Sequence, residues 1–309
     1  MFRLKQRIRA ALWRRITRQF ADELAQLLAR TTDREFSACR QAAAVSVIRK
    51  ASSESWFETR FNDSAVILPA DTIRTMIHCV YSTEASPILI AVEDNHLNWM
   101  MAHLAPGAAF LDVGAATGAM AVPIAQRFGD AIDLFAFEPA RKARALLTAT
   151  LDRNALTSVK VFPTAVSDMP GVAVFAEFAY DETSERPYLP ETSALHNPMI
   201  GGADALQYEV PVTTLDVFSA EHGLRGRPAV IKIDVEGFEV QVLEGAAAYL
   251  EATRPWFSID IHRDPFGEGT TEAKVVGILE PLGYTFERMS HVLLATPLAR
   301  DTAAEQPVP

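Results

Sequence analysis

Lys232, Asp234 and Glu236 stand two residues apart in AVIKIDVEGFE, residues 229–239. A strand covered on both faces should be apolar throughout. Ionisable groups at a spacing of two project to one face if the strand persists. WFSIDIH, residues 256–262, repeats the alternation with Ser258, Asp260 and His262. If the two strands are neighbours, these groups converge beyond their carboxyl ends. Burying such groups without partners is costly, so they are either paired with one another or gathered at a site. One reading makes Lys232 and Asp234 a structural ion pair. The other makes the set Asp234, His262, Glu236 and Lys232 catalytic, with Asp234 or His262 taking a proton from a substrate hydroxyl. Asp234, Glu236, Asp260 and His262 are also hard donors for a divalent cation. Their spacing matches no metal motif, however, and no metal is expected.

A second group precedes them. FLDVGAATGAMAV, residues 110–122, reads as an apolar strand, a turn and the start of a helix. Gly114 permits a backbone geometry that a Cβ would hinder, and Gly118 allows close approach at the helix start. Dinucleotide sites use G-x-G-x-x-G so that a pyrophosphate can rest on the helix N-terminus. Here Ala116 stands where a middle glycine would be, which favours a ligand without phosphate. Glu138 ends the next strand, LFAFEP, and its carboxylate can accept from both hydroxyls of a ribose. Pro139 then starts a helix cleanly. The candidate cofactor residues are Asp112, Gly114, Ala115, Thr117, Gly118 and Glu138. Asp168, after a third strand, either borders an adenine or simply opens the turn Asp-Met-Pro-Gly.

The elements that must carry these residues follow an α/β rhythm. Apolar runs at 109–114, 134–139, 159–166, 229–235 and 256–262 alternate with helical stretches near 118–128, 140–153, 238–251 and 270–281. Such alternation predicts a parallel sheet with helices on both faces. YTFERM (284–289) and HVLLAT (291–296) read as a closing hairpin. Residues 176–208, with three prolines and Gly201-Gly202, read as a long loop, which in a compact domain is usually functional or disordered. The expected organisation is an N-terminal basic, mainly helical extension (1–60), a lead-in α+β segment (61–105), the main domain (106–296) and a frayed tail (297–309). Within the lead-in, strands are expected at 65–69 and 86–92, with helices at 72–80 and 94–104.

Charge separates the extension from the body. Residues 1–20 hold seven basic side chains and no acid, while the remainder holds 22 basic and 39 acidic residues. An acidic body argues against a nucleic-acid partner. The basic start could touch an anionic membrane or another acidic partner. Its apolar residues, from Leu4 to Leu28, recur every four positions. Each such step overshoots the helical turn by about 40°, so the stripe winds and suits wrapping around the body. No apolar run approaches the roughly 18–20 residues of a membrane span, and arginines interrupt any signal-peptide core. Cys39 and Cys79 lie far apart with no CxxC spacing. A cytoplasmic location is therefore expected.

Taken in order, FLDVGAATG (110–118), FEP (137–139), AVSD with a following glycine (165–171), VPVTTLDVF (210–218), IKIDVEGFEVQVLEGA (231–246) and IDIH (259–262) resemble the FkbM family of methyltransferases. The resemblance covers about residues 90–295. It implies a class I, Rossmann-like methyltransferase fold: a seven-stranded, mostly parallel sheet with helices on both faces and the last strand antiparallel. It also implies S-adenosylmethionine as donor and O-methylation of a sugar, glycan or natural product. Glu93 resembles an acid facing the cofactor's amino group, and Ser193 a serine in the loop near the acceptor.

The expected function is thus an S-adenosylmethionine-dependent O-methyltransferase with a small-molecule or glycan acceptor. Two alternatives share parts of the pattern. An NAD(P)-dependent sugar oxidoreductase shares the turn and the ribose acid. A non-catalytic cofactor-binding module could dock on glycan-assembly enzymes through residues 1–30.

Overall fold

In a computed structural model of the 309-residue chain, residues 56–61, 64–69, 96–178, 194–195, 205–289 and 291–299 are described. The expected N-terminal helices, the helix at 72–80, the strand at 86–92, Glu93 and Ser193 lie outside them. Strand β1 (Trp56–Phe61) pairs antiparallel with β2 (Ser64–Pro69). The expected helical extension to residue 60 therefore ends in a strand. A helix covers residues 96–102.

The main domain then alternates as its sequence predicts. β3 (Ala109–Val113), α1 (Ala121–Phe128), β4 (Asp133–Phe137), α2 (Arg141–Arg153) and β5 (Val159–Phe162) form the first half. The second half is α3 (Leu215–Glu221), β10 (Ala229–Ile233), α4 (Glu239–Glu244), α5 (Ala247–Thr253), β11 (Trp256–Asp260), α6 (Glu272–Leu279), β12 (Tyr284–Met289) and β13 (Val292–Pro297). Seven of these strands form one sheet in the order β12-β13-β11-β10-β3-β4-β5. β13 is antiparallel to both its neighbours, and the pairs from β11 to β5 are parallel. This is the sheet expected of a class I methyltransferase.

Each face of the sheet has its own core. Phe110, Leu134 and Val230 pack with Leu97 and Met100 of the 96–102 helix and with Val122 and Ile124 of α1. Leu111, Phe137, Ile231 and Phe257 pack on the opposite face with Phe218, Leu243, Tyr249 and Leu279. Each such side chain, fully buried, contributes about 1.5–3 kcal/mol. The β1–β2 hairpin docks on the first face. Asn154, after α2, holds both the amide and the carbonyl of Ile67, at 2.9 and 2.7 Å.

The expected loop at 176–208 is in part sheet. β7 (Gly171–Phe178) pairs antiparallel with β9 (Ala205–Thr213), and β6 (Ala165–Val166) and β8 (Ala194–Leu195) complete a second, four-stranded sheet. The prolines and glycines that suggested a continuous loop fall between these strands. The long register from Gly171 to Phe178 was hidden by strands whose outer residues Val172 and Val174 are exposed.

The expected helix at 238–251 is two helices, broken at Gly245 and Ala246. A Cβ at Gly245 would stand 2.1 Å from the Ser167 carbonyl oxygen, so glycine is what lets this corner touch β6. Thr214 caps α3 through the Val217 amide at 3.1 Å, a contact worth about 1 kcal/mol. Asp216 accepts from the Ala248 and Tyr249 amides at the start of α5. VPVTTLD and LEGA, remote in sequence, are thus partners in one joint.

Candidate cofactor and acceptor cleft

The sheet order reverses direction between β3 and β10, and in open α/β sheets the ligand crevice opens at such a point beyond the strand ends. A cleft lies there, lined among others by Gly114, Ala116, Glu138, Val166, Asp234 and Glu236. It joins the two groups of residues that the sequence singled out.

The cofactor half is built from backbone and one acid. Gly114 has φ +81°, and a Cβ on it would stand 1.8 Å from the Asp234 carbonyl oxygen. Only glycine lets the turn after β3 lie against the end of β10. Ala116 also takes positive φ, and its amide donates to Glu138 Oε2 at 2.7 Å. Glu138 Oε1 accepts from the Ala140 amide at 2.8 Å. The carboxylate thus ties the turn to the start of α2. Burial pushes its pKa up to about 8, against the pull of those two amides. Gly118 faces Leu147, whose Cδ1 would be 2.8 Å from an added Cβ. Ala115 and Thr117 are buried beneath the turn.

Of the two readings of Asp168, its position in the structure is that of a turn residue. It is exposed, accepts from Ser167 Oγ at 3.0 Å and is not among the cleft residues. Its side chain belongs to the turn into β7, and Thr164, Ala165 and Val166 supply that wall of the cleft instead.

Lys232 also departs from the catalytic reading. Register pairs it with Asp112 on β3 and Ser258 on β11, so the three share one sheet face beneath the cleft. Its ammonium donates to the Gly114 carbonyl at 2.8 Å and lies 3.4 Å from Asp112 and 3.2 Å from Asp234. Burial acts to lower its pKa, but Asp234, Asp112 and Asp260 outweigh this and raise it. Lys232 is a fixed cation under the cofactor turn and does not line the cleft. Asp112 is wholly buried, and burial raises its pKa against the attraction of Lys232.

The acidic rim forms where β10 ends at Ile233. Glu236 takes φ +54° and Gly237 φ +101°, so the chain turns sharply. A Cβ on Gly237 would lie 2.9 Å from the Arg263 carbonyl oxygen. This close approach joins the turn after β10 to the segment after β11, which carries His262. His262 Nε2 lies 3.6 Å from Asp234 Oδ1 and 3.8 Å from Glu236 Oε1. Its Nδ1 lies 2.9 Å from Oε1 of Glu239, a completely buried carboxylate. Burial acts to lower the His262 pKa, but the Glu239 contact and the nearby Glu236 and Asp234 raise it to about 10. Glu239 also accepts from the Gly237 amide and from Thr271 Oγ1, at 2.9 and 2.7 Å.

Glu239 is the site residue that sequence reasoning passed over. It falls outside the two-residue spacing of Lys232, Asp234 and Glu236. An acid in the first turn of a helix reads as an ordinary helix start. Asp260, by contrast, leaves the rim: it is buried and pairs with His291 at 3.1 Å.

A family model described as the methyltransferase FkbM domain matches residues 112–286, from within β3 to within β12. The chain belongs to the FkbM methyltransferase family. Its main domain is a methyltransferase domain, and membership of that family implies S-adenosylmethionine as the methyl donor. The residues at the cleft fit that group: a carboxylate for the ribose diol, no phosphate cradle, and an acidic rim suited to a sulfonium. Among solved structures, a methyltransferase FkbM from Methylobacillus flagellatus KT is similar at 14% identity and a TM-score of 0.43, over 89% of this chain. The chain spans 58% of the length of that protein. A Streptococcus pneumoniae protein in complex with S-adenosyl-L-methionine is similar at 12% identity and a TM-score of 0.37, covering 68% of this chain and 76% of its own. An Aquifex aeolicus SAM-dependent methyltransferase is similar at 13% identity and a TM-score of 0.36, covering 66% and 87%. No curated protein matches the chain. Among the described residues, no helix is long and apolar enough to cross a membrane.

Proposed function

We propose that this protein is an O-methyltransferase acting on a hydroxyl of a sugar, glycan or secondary metabolite. The observation that carries the proposal is that Asp234 and Glu236 line the same cleft as Gly114 and Glu138. An acid able to take a proton thus borders the space where the cofactor's adenosine would be held. S-adenosylmethionine, when bound, supplies an already activated methyl group.

The chain's own residues have a modest task. Glu138 binds the ribose hydroxyls, and the Gly114 turn leaves room for the methionine portion. Asp234 accepts the proton of the acceptor hydroxyl, a role that supplies typically 10²–10⁴-fold. His262 is unsuited to that role at neutral pH, because its acidic neighbours keep it protonated. Lys232 holds Asp234 and the Gly114 carbonyl in fixed relation, which aligns base and cofactor turn. Alignment of this kind provides much of the acceleration in a transfer between two bound groups.

Calorimetry with S-adenosylhomocysteine tests the donor half; heats indistinguishable from dilution would sink it. Transfer of isotopically labelled methyl groups to glycan, lipid and small-molecule fractions of the native extract tests the acceptor. Label appearing at a nitrogen or carbon rather than a base-stable methyl ether would overturn the choice of oxygen.

A further inference from the structure

The rim formed by Asp234, Glu236 and His262 is used only in part by proton acceptance at Asp234. Their nearest donor atoms all lie within 4.8 Å of one another. His262 Nε2 approaches the two carboxylates only to 3.6 and 3.8 Å. That is beyond the N–H···O range of about 2.7–3.2 Å. It is close to the spacing of two donors that share one cation, each at about 2.0–2.2 Å.

A separate observation comes from behind the imidazole. Its Nδ1 meets Oε1 of Glu239, which is itself 0% exposed and held by the Gly237 amide and Thr271. A histidine whose far nitrogen is gripped by a buried carboxylate has its ring orientation fixed. This is the usual support behind a metal-ligating imidazole. Here the supported ring directs Nε2 towards two carboxylates at the cleft edge.

We infer that Asp234 Oδ1, Glu236 Oε1 and His262 Nε2 form a binding site for a divalent cation, which takes the place of the Nε2 proton on binding, with Glu239 as the positioning residue behind His262. Two carboxylates and one imidazole suit a first-row divalent ion: the carboxylates take Mn²⁺ and the imidazole favours Zn²⁺ or Fe²⁺, and Mn²⁺ serves as the paramagnetic probe. Three protein ligands leave coordination positions open towards the cleft, where an acceptor hydroxyl fits. Asp234 Oδ2 stays paired with Lys232. The inference deepens the proposed function and rests on its cleft, but the cation site itself can be tested without turnover.

The full-length protein is stripped with a chelator, desalted and titrated with Mn²⁺, with the free ion followed by electron paramagnetic resonance. One site per chain is expected. Glu236→Gln and His262→Gln each weaken it at least tenfold, and Glu239→Gln weakens it roughly 10–100-fold. Asp130→Asn, in an exposed turn remote from the rim, leaves it unchanged. S-adenosylhomocysteine binding to each variant checks its fold. Absence of Mn²⁺ binding by wild type that still binds S-adenosylhomocysteine overturns the cation site and leaves the methyltransferase reading intact. Equal binding by wild type, Glu236→Gln and His262→Gln overturns it as well. Mn²⁺ binding that is lost in those variants, in a protein that binds no S-adenosylhomocysteine, upholds the site and removes the proposed donor half.

Discussion

Two clusters of charge sit within a few residues of each other at the end of β10, and they differ in every physical respect. The first, Lys232 with Asp112 and the Gly114 carbonyl, is sealed: the side chains of Lys232 and Asp112 are 6% and 1% exposed. The second, Asp234, Glu236 and His262, is open, at 28%, 20% and 26%. Asp234 belongs to both. The sealed cluster holds the cofactor turn against β10, and the open one faces the cleft. Ionisable residues in alternation therefore have two different uses here, and burial together with the partner separates them.

Substitutions should split the clusters along that line. Lys232→Met leaves Asp112 and Asp234 without their buried cation, a change that typically costs about 3–5 kcal/mol. Chemical denaturation should show that loss; a change under about 1 kcal/mol would mean that the sealed cluster does not support the fold. Asp234→Asn should lower turnover by about 10²-fold or more while S-adenosylhomocysteine affinity stays within about threefold. Wild-type turnover in that variant would remove Asp234 from proton acceptance. Glu138→Gln keeps the shape but lacks the charge, and hydrogen bonds to charged groups contribute about 1.5–3 kcal/mol. Its affinity for S-adenosylhomocysteine should fall about tenfold or more, and stability by about 1–3 kcal/mol, because the new NH2 group cannot accept from the Ala116 or Ala140 amide. An unchanged calorimetric affinity would show that the ribose is held elsewhere.

Both regions also set the pH dependence of chelator-treated, cofactor-free protein. The His262 pKa is raised to about 10, so its stabilisation is complete below its unfolded value of about 6.5 and is lost as pH rises through 10. The Glu138 pKa is raised to about 8. Folding then keeps a proton that the unfolded chain releases above about pH 4.5, which also lowers stability as pH rises. Both signs agree, so the melting temperature should decline from about pH 6 to pH 10. A rise over that window would contradict both assignments.

Much of the cofactor half and of the main sheet is legible in the residues themselves. Gly114 and Glu138 are legible because a turn after a buried strand needs a glycine and a ribose site needs an acid at the next strand end. The main-sheet strands β3, β4, β5, β10 and β11 are legible as short, largely apolar runs that alternate with helical stretches. The β7–β9 pair is not, because Val172 and Val174 are exposed and the prolines nearby mask the strand rhythm. The break at Gly245 is not, because helical periodicity continues through it and only the Ser167 carbonyl makes it necessary. Glu239 is hidden by its place at a helix start, where an acid has an ordinary explanation.

Residue order alone dictates the succession of elements, the sheet's apolar faces, the cofactor turn and the family. These follow from local periodicity and from glycine and acid positions that need no knowledge of remote contacts. Only the folded arrangement divides Lys232, Asp234 and Glu236 between a sealed ion cluster and an open rim. That division depends on where β10 ends, on the positive φ of Glu236 and on which neighbours the fold brings to each charge. None of these is a property of the spacing itself.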